Sequence, residues 1–437
     1  MVRSALHRAA LCGAMLHGLL SAGVAHAAAA PDTGDLMQGF PPPAEQVVGF
    51  HNYMQSPFNR WAFLHMRELQ PTREVYRGSG DVRALASAPV PLDELRFELF
   101  GGRTIDLPTW LDESFADAFL VLHEGRIVYE RYFNGMAPHQ QHQMFSGTKS
   151  FVGMLTLMLI EEGRIDPERT MASYVPELDG SAFGDATVQQ VLDMTTSIRF
   201  NEDYTDPDAD IFAYGQVFGF AGPPGENHRG PRTIYEYLPT LKKSDLPHGQ
   251  AFHYVTPNTD ALAWLNSRVS GESLSEALSR RVWQQLGVER DGYVWLGGGA
   301  AEMAGGGLNV TARDAARFGQ MILDGGRVDG RQVIPAAIAA RILEPGNREV
   351  FNRLYQDPWY EHVGWAYHDQ WWTFNNPHKA VSAIGVHGQF IYIDPVAKMV
   401  VVKQSSHPDA EGESNEVHGP QIWQQIGEYL MALPEES

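Results

Sequence analysis

The sequence predicts an α+β fold, with an antiparallel sheet flanked by helices and a second, mostly helical lobe. Two hairpin patterns carry this prediction. Residues 118–135 contain two apolar runs that meet at Glu124-Gly125, where glycine supplies the positive φ of a tight turn. Residues 388–404 contain two more runs, which an Asp-Pro pair separates. Because helical patterns fill the chain between the hairpins, an antiparallel sheet is favoured over a parallel βαβ arrangement.

Helical patterns lie between the hairpins and after them. An apolar helix is predicted from Ser146 to Gly163, and an amphipathic helix follows Thr311, a residue suited to a helix N-cap. The last helix is predicted over 420–433. The region of about 165–295 is polar and helical in pattern, so we expect it to form the second lobe. A cleft between two lobes is a common place for a binding site.

The first 27 residues have the pattern of a secretory signal peptide. A short basic start precedes an apolar stretch, and Ala25-His26-Ala27 offers a cleavage site between small residues. A transmembrane anchor is the alternative, but the stretch is short and rich in alanine and glycine. We therefore expect a periplasmic or secreted protein with no membrane anchor after cleavage. Cys12 would leave with this segment, so no disulfide or thiol nucleophile is expected.

Residues 28–105 begin as a linker rich in proline and glycine and continue as a mixed stretch. Within it, 59–72 has the pattern of one short amphipathic helix that ends at Pro71. We interpret the whole stretch as an N-terminal extension packed on the main domain, which occupies 106–435. The 437 residues, of which 43% are hydrophobic, suffice for a core with more than one lobe.

The formal net charge of −20 argues against binding to nucleic acid or anionic membranes through bulk charge, and solubility explains it most simply. His139 and His142 have the wrong spacing for a zinc-binding helix. We interpret them as part of a solvated loop and expect neither a metal nor a cofactor. Charge and composition specify no oligomeric state.

A serine and a lysine stand three residues apart at the start of the predicted apolar helix. Positions i and i+3 of a helix share a face, so Ser146 and Lys149 can touch. Partial positive charge at the helix N-terminus and burial both disfavour the ammonium form of Lys149. A lysine that loses its proton can accept one from a serine hydroxyl, and N–H groups at the helix start can stabilise an oxyanion. The alternative is a helix-capping serine beside a solvated lysine.

Two motifs downstream support the chemical interpretation. Tyr254 and Asn258 precede a predicted helix, and the His-Gly-Gln triplet at 387–389 stands at the entrance to a strand. With these motifs the chain, over roughly residues 59–430, resembles the serine β-lactamase-like hydrolases. That family includes class C β-lactamases, DD-peptidases, esterases and nylon-oligomer (6-aminohexanoate-dimer) hydrolases. The strings RFNEDYTDP, YVTPNTD and HGQFIYIDP look most like the nylon-oligomer branch.

The resemblance implies a role for each matching position. Ser146 corresponds to the acylated nucleophile, Lys149 to the lysine that activates it, and Tyr254 to the tyrosine that moves protons to and from the leaving group. The N–H groups of Ser146 and Gln389 would form the oxyanion hole. Gly388 would leave room for substrate along the strand.

The side-chain chemistry agrees with this set. A phenol has a pKa near 10, so Tyr254 needs a nearby cation if it is to act as a base, and Lys149 is the candidate. One proton shared between Lys149 and Tyr254 could serve both acylation and deacylation.

Two positions depart from the class C pattern. Asn258 lies four residues after Tyr254 instead of two, so it is either a substrate contact or the cap of a helix that starts near Asp260. His387 replaces a lysine in the third motif, where it would contact substrate. Because an ordinary histidine is mostly neutral at pH 7, His387 is a poorer anchor for a substrate carboxylate.

Taken together, the residues predict an exported serine hydrolase that cleaves small esters or amides through a covalent acyl-enzyme on Ser146. Asp203 and Tyr204, in the loop of the NEDY string, are either substrate contacts or solvated loop residues. One alternative function is a β-lactamase or DD-peptidase that acts on β-lactams or cell-wall peptides. Another is a catalytically weak binding relative of the same fold.

Overall fold

The computed structural model describes residues 34–219 and 228–434. The predicted signal peptide and Cys12 lie outside the described residues. Within them, no helix combines the length and the apolar character that crossing a membrane requires. The fold is α+β, as predicted, because helices surround sheets whose strands pair in antiparallel fashion.

The largest sheet contains both predicted hairpins. Its seven strands follow the order β11-β12-β13-β14-β15-β4-β5, and β15 joins the two hairpins by pairing with β4. The strands in chain order are β1 (Thr72–Val75), β2 (Arg96–Glu98), β3 (Thr104–Asp106), β4 (Ala116–His123), β5 (Arg126–Tyr132), β6 (His142–Gln143), β7 (Gly292–Trp295), β8 (Leu308–Val310), β9 (Arg327–Val328), β10 (Arg331–Gln332), β11 (Trp365–His368), β12 (Trp371–Phe374), β13 (Val381–Gly385), β14 (Gln389–Asp394) and β15 (Met399–Ser405).

The turn between β4 and β5 lies at the predicted pair. Glu124 and Gly125 have φ values of 49° and 77°, as a two-residue turn matched to the twist of its strands requires. A second sheet has the order β1-β7-β8-β6. The N-terminal extension supplies β1, which runs antiparallel to β7 with Thr72 opposite Trp295. The extension is therefore built into the body of the protein through a strand.

The helices occupy the regions that the sequence indicates, and Thr311 caps its helix by accepting from the Asp314 N–H. In chain order they are α1 (Phe58–Ala62), α2 (Met66–Leu69), α3 (Leu107–Glu113), α4 (Thr148–Glu161), α5 (Val188–Leu192), α6 (Asp210–Val217), α7 (Ile234–Tyr237), α8 (Pro257–Ser270), α9 (Leu274–Arg281), α10 (Ala312–Leu323), α11 (Ala336–Ile342), α12 (Arg348–Phe351), α13 (Pro358–Val363), α14 (Glu413–Glu416) and α15 (His418–Met431).

Helices cover both faces of the seven-stranded sheet. On one face, Gly319 of α10 lies so close that a Cβ there would stand 2.7 Å from Val400 Cγ1. On the other, Trp423 of α15 packs against Phe390 and Tyr392, with ring centroids 4.8 and 5.1 Å apart. Successive residues of a strand point to opposite faces, so each strand contributes to both layers of the core.

Helix α4 is buried on all sides. Every residue from Thr148 to Leu159 is buried, and Phe151 stacks on Phe318 of α10 with ring centroids 3.9 Å apart. A helix that is apolar all round belongs in a core. The start of α4, which carries the serine and lysine, is therefore held inside the protein.

Two local predictions differ from the structure. The single helix expected over 59–72 is two short ones, α1 and α2, because the Phe63 carbonyl accepts from the Gln143 N–H instead of continuing a helix. His139 is exposed, but His142 is buried in β6 with Nε2 3.0 Å from Asp117 Oδ2. The solvated-loop interpretation is therefore wrong for His142, because a partner distant in sequence holds its ring inside.

Candidate active site

Ser146 and Lys149 meet at the start of α4. Ser146 lies in a single 3₁₀ turn, Phe145–Gly147, directly before the helix. Lys149 Nζ is 2.7 Å from Ser146 Oγ and donates to the Gly305 carbonyl at 2.7 Å. The lysine is only 1% exposed. The structure thus excludes the alternative of a solvated lysine, and it places a nitrogen base within hydrogen-bond distance of the serine hydroxyl.

Burial makes Lys149 a weak base for a lysine. Loss of water lowers the pKa of its ammonium group to about 8, while Glu202 and Asp260 oppose that change. An appreciable fraction of Lys149 is therefore neutral near pH 8 and able to accept a proton.

Tyr254 completes the group from the segment before α8. Its hydroxyl interacts with the Ser146 side chain, and its ring centroid lies 5.1 Å from Lys149 Nζ. Burial, aided by Glu202, raises the pKa of Tyr254 well above its ordinary value near 10. The raised pKa of Tyr254 runs against the expectation that Lys149 stabilises a phenolate, because burial favours the neutral phenol.

Two carboxylates that the sequence analysis did not select stand beside this group, the half-buried Glu202 and the buried Asp260. Glu202 accepts from the backbone N–H of Thr256 at 2.7 Å and from the Tyr204 hydroxyl at 3.0 Å. Burial raises its pKa. Glu202 directly precedes Asp203, which the sequence analysis selected. Its place in the NEDY string was the signal that could have identified it.

Asp260 is the second carboxylate. It accepts from the Tyr214 hydroxyl at 2.7 Å and from the N–H groups of Ala304 and Gly305 at 3.1 and 3.3 Å. Burial raises its pKa to about 6, so it is ionised at pH 7 and above. Asp260 thereby holds the two peptides directly before the Gly305 carbonyl, which accepts from Lys149. Asp260 is the last residue of the YVTPNTD string, but only the fold brings Gly305 close to it.

The strand beside Ser146 is β13 rather than β14. Ile384, Gly385 and Val386 line the cleft together with Ser146. A Cβ on Gly385 would lie 2.2 Å from the Met144 carbonyl oxygen and 3.1 Å from Ser146 N. Glycine is therefore what allows the strand backbone to reach the nucleophile turn.

The predicted triplet at 387–389 lies beyond that strand and does not line the cleft. His387 is buried with Nδ1 2.7 Å from the His407 carbonyl oxygen, and burial lowers its pKa to about 4, so it is neutral as expected. Gly388 faces Asn415, and the Gln389 side chain donates to the Ser405 carbonyl at 2.6 Å. The predicted substrate and oxyanion roles of these three residues are corrected here. Sequence could not tell which of two paired strands approaches Ser146.

Asn258 does not line the cleft either. It is fully buried in the first turn of α8, where its Oδ1 accepts from the Thr196 hydroxyl at 2.9 Å. Since α8 begins at Pro257 with Thr256 as its N-cap residue, Asn258 does not cap the helix either. Neither interpretation of this residue matches its position, because its partner comes from a loop distant in sequence.

Asp203 and Tyr204 do line the cleft, which encloses about 560 Å³. Aromatic rings form much of its wall, and Trp372 stacks on Tyr254 with centroids 5.4 Å apart. Among the described residues that line it, none is lysine or arginine, whereas five are acidic. These acidic residues are Glu202, Asp203, Asp206, Glu411 and Glu416. The cleft thus combines an apolar wall with a negative field.

Comparison with known proteins agrees with this site. A family model described as Beta-lactamase matches residues 113–418. A 6-aminohexanoate-dimer hydrolase from Paenarthrobacter ureafaciens is 37% identical over 387 residues, covering 87% of this chain and 94% of that protein. A solved structure from Bacillus anthracis, named as a candidate 6-aminohexanoate-dimer hydrolase, has a TM-score of 0.81 at 35% identity, covering 90% of this chain and 100% of that one.

A penicillin-binding protein homologue from Caulobacter crescentus is 17% identical with a TM-score of 0.54, covering 74% of this chain and 95% of that one, and shows a shared fold alone. The family match spans more than half of the chain, and the Paenarthrobacter relative is similar over most of both sequences. The chain therefore belongs to the beta-lactamase family and is a serine hydrolase of the amidase or esterase type.

Proposed function

We propose that this protein hydrolyses short linear amides and esters through an acyl-enzyme on Ser146, with 6-aminohexanoate oligomers as the substrate class that the cleft fits best. The observation that carries the proposal is the 2.7 Å distance between Ser146 Oγ and the nitrogen of Lys149, whose pKa burial lowers to about 8. The named activity of the Paenarthrobacter relative supports the choice of substrate.

The reaction follows from the directions of the two pKa shifts. Ser146 Oγ attacks the carbonyl carbon, and its proton passes to neutral Lys149. As the tetrahedral intermediate collapses, the Tyr254 hydroxyl donates its proton to the leaving amine or alkoxide and regains one from the Lys149 ammonium. Water then attacks the acyl-enzyme, gives its proton to the same pair, and Ser146 leaves with a proton.

The backbone N–H groups of Ser146 and Val386 are the proposed oxyanion donors. Both residues line the cleft, and Gly385 brings the strand end against Ser146. Val386 thus takes the place that the sequence analysis assigned to Gln389. Preorganised donors of this kind typically contribute about 3 kcal/mol each to catalysis.

The cleft favours a substrate with an apolar chain and a free amine. A 6-aminohexanoyl group has five methylenes for the aromatic wall and an ammonium end for the negative field. Burial raises the pKa of Glu416 to about 8, so the charge at neutral pH comes mainly from the other acidic residues. A β-lactam carries a carboxylate, and the lining of the cleft offers no lysine or arginine to hold it.

Export to the periplasm or the medium remains part of the proposal. It rests on the signal-peptide pattern of residues 1–27. N-terminal sequencing of the mature protein should find a start near Ala28, and a chain that keeps residue 1 would contradict export.

Ser146→Ala should abolish turnover and leave the fold intact, because it removes one oxygen atom and keeps the helix start. A fluorophosphonate probe followed by peptide mass spectrometry should label the wild type at Ser146 and leave the variant unlabelled. Ser173→Ala changes an exposed serine and is the matched control, with full labelling expected. Labelling at any other residue in the wild type would show that the nucleophile is misassigned.

Acetylation of the substrate amine should weaken catalysis. We expect kcat/KM for 6-aminohexanoyl-p-nitroanilide to exceed that for its N-acetyl analogue by roughly 3- to 10-fold, since partly exposed ion pairs contribute about 1 kcal/mol. The ratio of the two kcat/KM values should be smaller in Asp203→Asn, because this change removes one negative charge from the cleft lining. Equal rates for both anilides would refute ammonium recognition, and a preference for nitrocefin would favour the β-lactamase alternative.

Asp260→Asn should shift the pH dependence of kcat/KM to lower pH. In the wild type, kcat/KM should rise with pH through an apparent pKa of about 8 as Lys149 loses its proton. Asp260 raises the pKa of Lys149, so its neutralisation should shift the rising limb to lower pH. Asp245→Asn neutralises an exposed carboxylate that does not act on Lys149, so its limb should stay in place. An unshifted limb in Asp260→Asn would argue that Lys149 is not the titrating base.

A further inference from the structure

The turn between β11 and β12 is unusual in its backbone and its burial. Its two central residues, Asp369 and Gln370, have φ values of 49° and 67°. Glycine or asparagine normally fills such positions, because the left-handed region costs other residues roughly 1–2 kcal/mol. Most turns face water, yet Asp369 is 2% and Gln370 1% exposed. A strained conformation that persists in a buried place suggests that the side chains there have a task.

Gln370 uses all of its polar atoms inside the protein. Its Oε1 accepts from the Thr259 hydroxyl at 2.6 Å, and its carbonyl accepts from the Ser150 hydroxyl at 2.8 Å. Its Nε2 donates to the carbonyls of Val191 and Leu192 at 3.1 and 3.0 Å. Glycine would suit the backbone better, but it would lose every side-chain bond. Gln370 thereby connects α4, through its backbone carbonyl, with α5 and α8, through its side chain.

One of these partners stands next to Lys149, and another stands next to a carboxylate that raises the pKa of Lys149. Ser150 follows Lys149 in α4, and Thr259 precedes Asp260 in α8. The helix also touches the turn directly, because a Cβ on Gly153 would lie 2.4 Å from the Asp369 carbonyl oxygen. With no side chain between them, the turn sets how closely α4 approaches.

The turn itself is held from outside. Arg341 of α11 binds both carboxylate oxygens of Asp369, at 2.7 and 2.8 Å, and Gln189 donates to the same carboxylate at 3.1 Å. The Asp369 N–H donates to Asp193 at 3.0 Å. Gln370 is therefore anchored on one side and reaches the helices of the site on the other.

We propose that Gln370 is a positioning residue that sets the spacing between the start of α4, with Ser146 and Lys149, and the start of α8, which follows Tyr254. The proposal rests on the proposed acyl-enzyme mechanism. Proton transfer among these three side chains depends on distances near 2.7 Å, and a displacement of about 1 Å can cost roughly 100-fold in rate. Gln370 touches no reacting atom, so its effect passes through Ser150 and Thr259.

Gln370→Gly is the central variant, because it keeps the positive φ and removes only the side-chain bonds. Active sites are counted by stoichiometric labelling of Ser146 with a fluorophosphonate, and kcat for a p-nitrophenyl ester is expressed per counted site well below the melting temperature. We expect kcat per site to fall roughly 10- to 100-fold, with KM changed less than about 3-fold. Asp329→Gly, at an exposed left-handed residue of the β9–β10 turn, is the matched control and should change neither.

A second pair of variants tests the link to α8 alone. Thr259→Val removes the hydroxyl that reaches Gln370 and should lower kcat per site, whereas Thr259→Ser keeps the hydroxyl and should restore it. The losses in Thr259→Val and Gln370→Gly should be non-additive, since both break one connection. If Gln370→Gly does not fold, the Thr259 pair decides the question.

The outcomes separate this proposal from the mechanism on which it rests. A wild type that a fluorophosphonate does not label at Ser146, or that keeps its turnover in Ser146→Ala, contradicts the acyl-enzyme on Ser146 and the positioning role with it. Normal labelling of the wild type, together with variants that lose stability or counted sites but keep kcat per site, contradicts the positioning role alone. In that case Gln370 only supports the fold.

Discussion

The side chain of Lys149 lies in the interior of the protein, between the oxygen of Ser146 and the carbonyl of Gly305. An amine in such a place favours its neutral form, because the ammonium ion loses the water that stabilises it. Lys149 belongs to α4, in which every residue from Thr148 to Leu159 is buried. The helix that forms part of the core and the helix that lowers the pKa of the lysine are thus the same element.

A buried amine needs compensation, and two carboxylates supply it. Glu202 and Asp260 both attract a proton toward Lys149 and keep its pKa from falling further. Each carboxylate is itself satisfied by hydrogen bonds, Glu202 from Thr256 and Asp260 from Tyr214 and the peptide at Gly305. An unpaired buried charge would cost several kcal/mol, so these bonds are a condition for the site to exist. Most of these bonds come from residues 202–260, a part of the chain distant in sequence from Ser146 and Lys149.

The sheet contributes backbone rather than charged groups. Strand β13 reaches Ser146 because Gly385 has no side chain, and the β11–β12 turn reaches α4 because Gly153 has none. Close backbone contacts of this kind leave little freedom for the parts to shift separately, since protein interiors are packed as densely as crystals. In the proposed function, the choice of substrate depends instead on the aromatic wall and the acidic residues of the cleft.

Local patterns in the sequence determined the hairpins, the buried helix after Ser146, the Thr311 cap and the contact between Ser146 and Lys149, because each depends on neighbours a few residues apart. Tyr254 was found through its motif. Tertiary structure alone decided that β13 rather than β14 lies beside the serine, that Asn258 faces Thr196, and that Asp260 holds the Gly305 peptide. In each of those cases the partner lies roughly 45 to 240 residues away in sequence. Burial and hydrogen bonding between such distant segments leave no periodic or local signal, so the pKa values of the site and the shape of the cleft follow from the fold.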